Sequence, residues 1–405
     1  MTKINLCYLF WILLIISSCS LNETDSPNDE MPDLLERPTE LTGVEWDKVQ
    51  STYQDCRMNI MEDSNDFATY IKLAEVFMHE ARVTGEHGHY YPSALQILNK
   101  VLKNEKEGTD VRFNALLYKA SVLLSQHEFK EAKELSLEAL KINKYNAQLY
   151  GTLVDALVEL GEYNDAVLMG DKMVSLRPDL RSYARISYLR EIHGDLNGAI
   201  EAMTMAAQAG YPGMEQTAWT KLTLGELYEK NDEPEKAYEI YEQILEEREN
   251  YPFAIAALGK LELVNENYKK AELLLQKAAN IIPEVGYFCD LAKLYKATGR
   301  GTKFEETIQE ILVMLQDDVD SGHNMNLEYA DVYLYLVKDT NQAKKFALRE
   351  YVKRPNNVDV NKMMAEIFIE EKEASKALPH MDYILSVNKN SVEVKNLKSK
   401  LSMAM

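Results

Sequence analysis

The stretch Leu224-Gly225-Glu226-Leu227-Tyr228, continued by Ala237, Tyr241 and Ile244, returns 34 residues later as Leu258-Gly259 with Ala271, Leu275 and Ala278, followed by Pro283. Each copy holds two amphipathic segments with apolar residues at helical spacing. A polar turn separates them, Asn231-Asp232-Glu233-Pro234 in the first copy and Asn265-Glu266-Asn267 in the second. A helix pair this small cannot bury its own apolar face, so it must stack on neighbours. Glycine inside a helix costs about 1 kcal/mol relative to alanine. Gly225 and Gly259 therefore mark places where the second helix of the unit leaves no room for a side chain.

The rest of the chain supports an array of such pairs. Among 405 residues there are only 17 Gly and 11 Pro, and 46% are apolar, enough for a continuous helical core. A net charge of −20 argues against nucleic acid or an anionic lipid face as partner, because both are bound by basic surfaces. Four cysteines at positions 7, 19, 56 and 289 give neither a metal knuckle nor a disulfide framework. Cys289 reads as a small buried hydrophobe.

The small residues that open the second helices are Ala132, Ala166, Ala199, Ala237, Ala271, Ala343 and Ala377, spaced 34, 33, 38, 34, 72 and 34 apart. The interval of 72 hides one degenerate unit, built on Leu291-Ala292, Leu294-Tyr295, Ile308 and Leu312. Another precedes the series, from Leu73 and Phe77 to Leu98 and Leu102, with a long excursion between its helices. Mostly small residues stand twelve positions before these alanines, and Pro178, Pro283 and Pro355 stand twelve after. In this pattern the chain resembles the tetratricopeptide repeat family from about Phe67 to Asn390. The resemblance implies an all-α fold, a right-handed α-solenoid of about nine helix-turn-helix repeats. Glu350 departs from it, a carboxylate where an apolar residue is usual. The solenoid is expected over residues 63–390, between capping helices at 44–62 and 391–405. The second cap carries Val394, Leu397 and Leu401 against a lysine face.

Ahead of the array, Lys3 is followed by an apolar run from Leu6 to Ile16 and then Ser17-Ser18-Cys19. Eleven apolar residues are too few to span a membrane and have the length of a signal-peptide core. The ending resembles the processing site of bacterial lipoproteins. That resemblance implies removal of residues 1–18 and acyl chains, palmitate among them, on Cys19, with Ser20 leaning toward outer-membrane sorting. Residues 19–43, acidic and interrupted by Pro27, Pro32 and Pro38, are expected to form a disordered tether.

The sequence offers no phosphate-cradling loop, nucleophile elbow, zinc knuckle or dinucleotide fingerprint, so no catalytic residue and no cofactor is expected. His79, His87 and His89 are candidates for a metal site, with carboxylates nearby but nothing to make them converge. The family resemblance places the first helix of each unit on the concave side, and so points Ser121, Asp155, Glu159, Trp219, Glu226, Glu229, Lys260, Tyr335, Glu366 and Glu370 into a groove. Most of the charged members are acids, which suits an extended or basic segment of a partner protein. Met169, Met173, Met203 and Met205 read as core. The expected function is a membrane-anchored scaffold or assembly factor that is not an enzyme. The alternative is a glycan- or nutrient-binding lipoprotein accompanying an outer-membrane transporter.

Overall fold

The computed structural model describes residues 31–404, so the signal-peptide and Cys19 expectations lie outside the described residues. Within them every regular element is a helix. The capping helix α1 (Val44–Glu62) precedes nine helix pairs. These are α2 (Phe67–Thr84) with α3 (His87–Asn104), α4 (Asp110–Ser125) with α5 (Phe129–Ile142), and α6 (Ala147–Glu159) with α7 (Tyr163–Leu176). Next come α8 (Leu180–Ile192) with α9 (Leu196–Gln208), α10 (Glu215–Lys230) with α11 (Pro234–Glu247), and α12 (Pro252–Val264) with α13 (Tyr268–Ile281). The last three are α14 (Val285–Ala297) with α15 (Gly301–Asp320), α16 (Asn326–Asp331) with α17 (Thr340–Lys353), and α18 (Val358–Glu370) with α19 (Ala374–Val387). Helix α16 continues through a π-helical turn, Val332–Val337, and α20 (Val392–Ala404) closes the stack on Val394, Leu397 and Leu401.

Within each pair the packing follows the sequence period. Ala132, Ala166, Ala199, Ala237, Ala271, Ala343 and Ala377 are all wholly buried. A Cβ on Gly225 would lie 2.2 Å from the Tyr241 ring, and one on Gly259 would lie 2.9 Å from Leu275, so both glycines admit the second helix of their own unit. Every turn between paired helices ends on one left-handed residue: Gly85, His127, Gly161, Gly194, Asp232, Glu266, Gly299, Lys338 and Lys372, with φ between 59° and 78°. This is the geometry that frees a helix C-terminus to reverse direction. Glu350 is buried, and its carboxylate is bonded to Arg354 (2.5 Å) and to the Asn324 side chain (2.8 Å).

The structure departs from the sequence reading in three places. The excursion of the first unit is no loop, because α2 and α3 each lengthen to 18 residues and leave only Gly85-Glu86 between them. Met205 lies on the outer face, 42% exposed, while Met173 and Met203 are buried and Met169 is partly covered. The described part of the acidic tether, residues 31–43, is a docked strap. Met31 is buried, and Leu34 and Leu35 pack on the first unit. Tyr53 donates to the Pro32 carbonyl (2.9 Å), Leu35 N–H donates to the Tyr90 hydroxyl (2.9 Å), and Arg37 reaches Glu80 by two hydrogen bonds of 2.5 and 2.8 Å. Both charged side chains are buried, and Arg37 also lies over Trp46. The prolines and acids that read as a solvated spacer also suit an extended ribbon held by side chains of the first unit.

The stack also winds back onto itself. The turn of the second unit meets the connection between units seven and eight: Asn324 N–H donates to the Gln126 carbonyl (3.0 Å), and His127 Nδ1 lies 3.0 Å from the Asn324 carbonyl oxygen. The third unit meets the connection between eight and nine, where the Tyr163 hydroxyl accepts from Val358 N–H (2.8 Å) and Asn357 donates to the Glu159 carbonyl (3.1 Å). A Cβ on Gly161 would sit 1.9 Å from the Asn356 carbonyl oxygen, and one on Gly194 in unit four would sit 2.5 Å from the Asn388 side chain. Ahead of these, the Gly85 turn abuts Ile282, and Glu45 in α1 pairs with Arg248 at 3.6 Å. Each of units one to four thus sits on the connection that follows the unit five places later, making one continuous seam.

Candidate functional site

The first helices of successive units touch one another along the stack, which makes them the inner wall. Their polar residues form a ladder between neighbours. Tyr118 bonds Glu75, Arg185 bonds Asp155 (2.5 and 2.8 Å), Tyr188 bonds Glu159 (3.3 Å), Lys230 bonds Glu191 (2.6 Å), and Lys260 pairs with Glu229 (3.1 Å). Each rung joins the first helix of one unit to the first helix of the next, because the repeat period presents the same face again.

The expected groove residues therefore fall into two sets. Asp155, Glu159, Glu229 and Lys260 are engaged inside the molecule, and Ser121 bonds its own helix at the Leu117 carbonyl (3.0 Å). Glu159 leaves the groove for the seam, where Arg354 holds it at 2.5 Å. Burial pushes its carboxyl up and the Arg354 guanidinium opposes the rise. The second set has no such partners among the described residues. Glu226 makes no hydrogen bond or ion pair; burial raises its carboxyl, with Lys230 and Lys260 opposing. Glu366 is raised by burial against the pull of Lys400, and its Oε2 is buried without a partner. Trp219 and Tyr335 are 48% and 38% exposed. Glu370 lies on the same face one helical turn beyond Glu366.

The wall is not uniformly acidic. Arg82 and Arg181, in units one and four, have no carboxylate partner among the described residues. Burial first, and then the guanidinium groups of Arg177, Arg82 and Arg185, hold Arg181 below its usual value. Arg82, from unit one, also acts on Tyr251 at the start of unit six. Nothing in a list of acids foretells this, since the winding, not the period, brings the arginines together.

The candidate metal ligands go three separate ways. His79 Nε2 lies 3.0 Å from Glu45, and chiefly through that hydrogen bond the Glu45 carboxyl is drawn down to about 2. His89 Nε2 lies 2.9 Å from the Asp33 carbonyl oxygen of the strap, and His87 stacks on Tyr91 and His323. Among the described residues no group of three or more His, Cys, Asp or Glu side chains is placed to hold a metal. Cys289 is half-buried, and burial pushes its thiol up to about 12.

An open cleft of 470 Å³ lies among α15, α16 and α17. Three near-parallel rings line it, with Phe346 4.5 Å from Tyr329 and 5.8 Å from Tyr333, beside Arg349, Gln316 and His323. No described helix is long and apolar enough to cross a membrane.

No protein-family model and no curated protein matches the sequence. Solved structures do. The Cut9–Hcn1 hetero-tetramer of APC/C is 14% identical, covering 91% of this chain and 78% of its own, at a TM-score of 0.44. A human IFIT1 dimer with m7Gppp-AAAA is 15% identical over 84% and 86%, at 0.47. A tetratricopeptide repeat protein from Parabacteroides merdae is 14% identical over 72% and 98%, at 0.36. The likeness is one of fold alone; the nine helix pairs, each packed on the next, make the described residues an α-solenoid of helix-turn-helix units.

Proposed function

We propose that the protein is exported, held at a bacterial membrane by acyl chains on Cys19, and acts there as a binding scaffold whose inner wall takes an extended, basic segment of a partner protein. One observation carries this reading. In units five to nine the wall keeps Glu226, Glu366, Trp219 and Tyr335 without internal partners, whereas the acids of units three and four are spent on the ladder and the seam. A carboxylate with no bonded cation gains a charge-assisted hydrogen bond from a lysine or arginine brought to it. Trp219 supplies a ring face for the stem or charge of that cation. Because the wall is prebuilt, little ordering entropy is lost on its side. The outer membrane is the favoured location, from Ser20. Eleven residues lie between Cys19 and Met31, the first described residue of the strap.

The anchor is tested by metabolic labelling with palmitate, which Cys19→Ala should abolish. Binding is tested with a fluorescent lysine decapeptide and a glutamate decapeptide as control. The lysine peptide should bind, weaken as salt rises, and lose affinity for a Glu226→Gln/Glu366→Gln variant of unchanged helicity. Equal affinity for both peptides would overturn the reading.

A second reading, glycan binding beside an outer-membrane transporter, is favoured by the ring-lined cleft, since flat aromatic faces with amide and guanidinium neighbours suit sugar rings. Chemical-shift changes on adding oligosaccharide, confined to Tyr329, Tyr333 and Phe346, would bring it forward.

A further inference from the structure

The seam differs in kind from every other contact in the molecule. A helical repeat is stabilised by its immediate neighbours, and each neighbour interface here is formed without help from the seam. The seam joins units five apart through turns and polar groups, and Tyr163 of unit three and Val358 of unit nine also share one apolar cluster. Parting it would leave the packing of each helix pair on the next in place.

Arg354 concentrates those contacts. It is 6% exposed. Its guanidinium bonds Glu350 on its own helix (2.5 Å) and Glu159 from unit three (2.5 Å), and lies 4.9 Å from the Phe129 ring of unit two. Beside it, Lys353 bonds Glu128 at 3.0 Å. The seam closes the coil after only five units, since the turns of units one to four each abut the connection five units on, and so it shuts that side of the inner wall. A partner segment bound along that wall must first get in.

We infer that Arg354 is the latch of a coil that opens, and that the inner wall admits its partner only when the seam parts. This rests on the reading of the wall as the binding surface. Partner binding and seam closure are then coupled through a two-state element.

Full-length protein carrying Gly88→Cys and Ser321→Cys tests it. A Cβ on Gly88 lies 3.4 Å from the Ser321 Cβ, close to disulfide spacing. Oxidised, this variant should take up the fluorescent lysine decapeptide at least about ten-fold more slowly than when reduced, and Arg354→Gln should associate faster than the parent and show a larger radius of gyration in solution scattering. Equal rates for oxidised and reduced protein would overturn the latch. If the parent binds no peptide, the wall reading fails instead, and scattering alone judges the latch. A radius of gyration unchanged by Arg354→Gln, and unchanged in the parent by salt of about 0.5 M, would then sink it. Should Arg354→Gln not fold, the cysteine pair still decides.

Discussion

At Gly161 two demands meet. Its φ of 77° strains any residue with a Cβ, and the Asn356 carbonyl lies where that Cβ would go. Gly299 occupies the same turn position in unit seven, at φ 69°, but faces open space. Gly299→Ala should therefore cost only the left-handed penalty, roughly 1–2 kcal/mol. Gly161→Ala should add an overpacking cost of about 1–3 kcal/mol, and urea titration of the two variants measures the difference. The same position is His127, Asp232, Glu266, Lys338 and Lys372 elsewhere, so the left-handed turn alone does not demand glycine, whereas at Gly85, Gly161 and Gly194 the seam fills the space a Cβ would take. Glu284, on the connection beside Gly85, makes a second residue-scale case. Burial and the nearby Asp318 push its carboxyl from 4.5 up to about 7. The folded state thus keeps a proton that the unfolded chain has released, and stability falls as pH rises from about 4.5 through 7. Glu284→Gln should raise the melting temperature at pH 8 and leave it unchanged at pH 4; equal gains at both would assign the effect to packing. His87, lowered to about 4 chiefly by burial, acts the other way, since stability is lost as pH falls from 6.5 toward 4.

At the scale of elements, the strap and the ladder show what a helical period conceals. The nine pairs, their buried alanines and the close approach at Gly225 were all legible, because core spacing is a local property of sequence. The strap was not, because its own residues carry no period and its partners, Glu80, Tyr53 and Tyr90, lie on helices that read as ordinary repeat. Removing the Arg37 guanidinium strands a buried carboxylate. Arg37→Ala should cost about 3–5 kcal/mol, and since repeats unfold locally, the loss should appear as faster amide exchange in α1 to α3 while α10 to α13 keep their protection. Uniform acceleration along the chain would show instead that the strap stabilises the whole stack. The ladder was hidden for another reason. Asp155 and Arg185, or Glu229 and Lys260, stand 30 and 31 residues apart, and a reading that projects one helix at a time sees a row of acids where the assembled wall has ion pairs.

For the molecule as a whole, the winding decides which residues are available. It takes Glu159 out of the wall, brings Arg82 to act on Arg181, and leaves Glu226 and Glu366 as the unspent acids. None of this follows from repeat length, because the angle between successive units is set by side chains at many interfaces, and small differences accumulate over five units. The seam also fixes the count. Helical arrays ordinarily gain or lose a repeat without penalty, since any neighbour will serve. Here a duplicated unit between Gly161 and Asn356 would move every later connection past its mate, as an added tooth stops a gear from meshing. Lineages that carry this coil are thereby held to one number of repeats between those two turns, and change in length is confined to the ends.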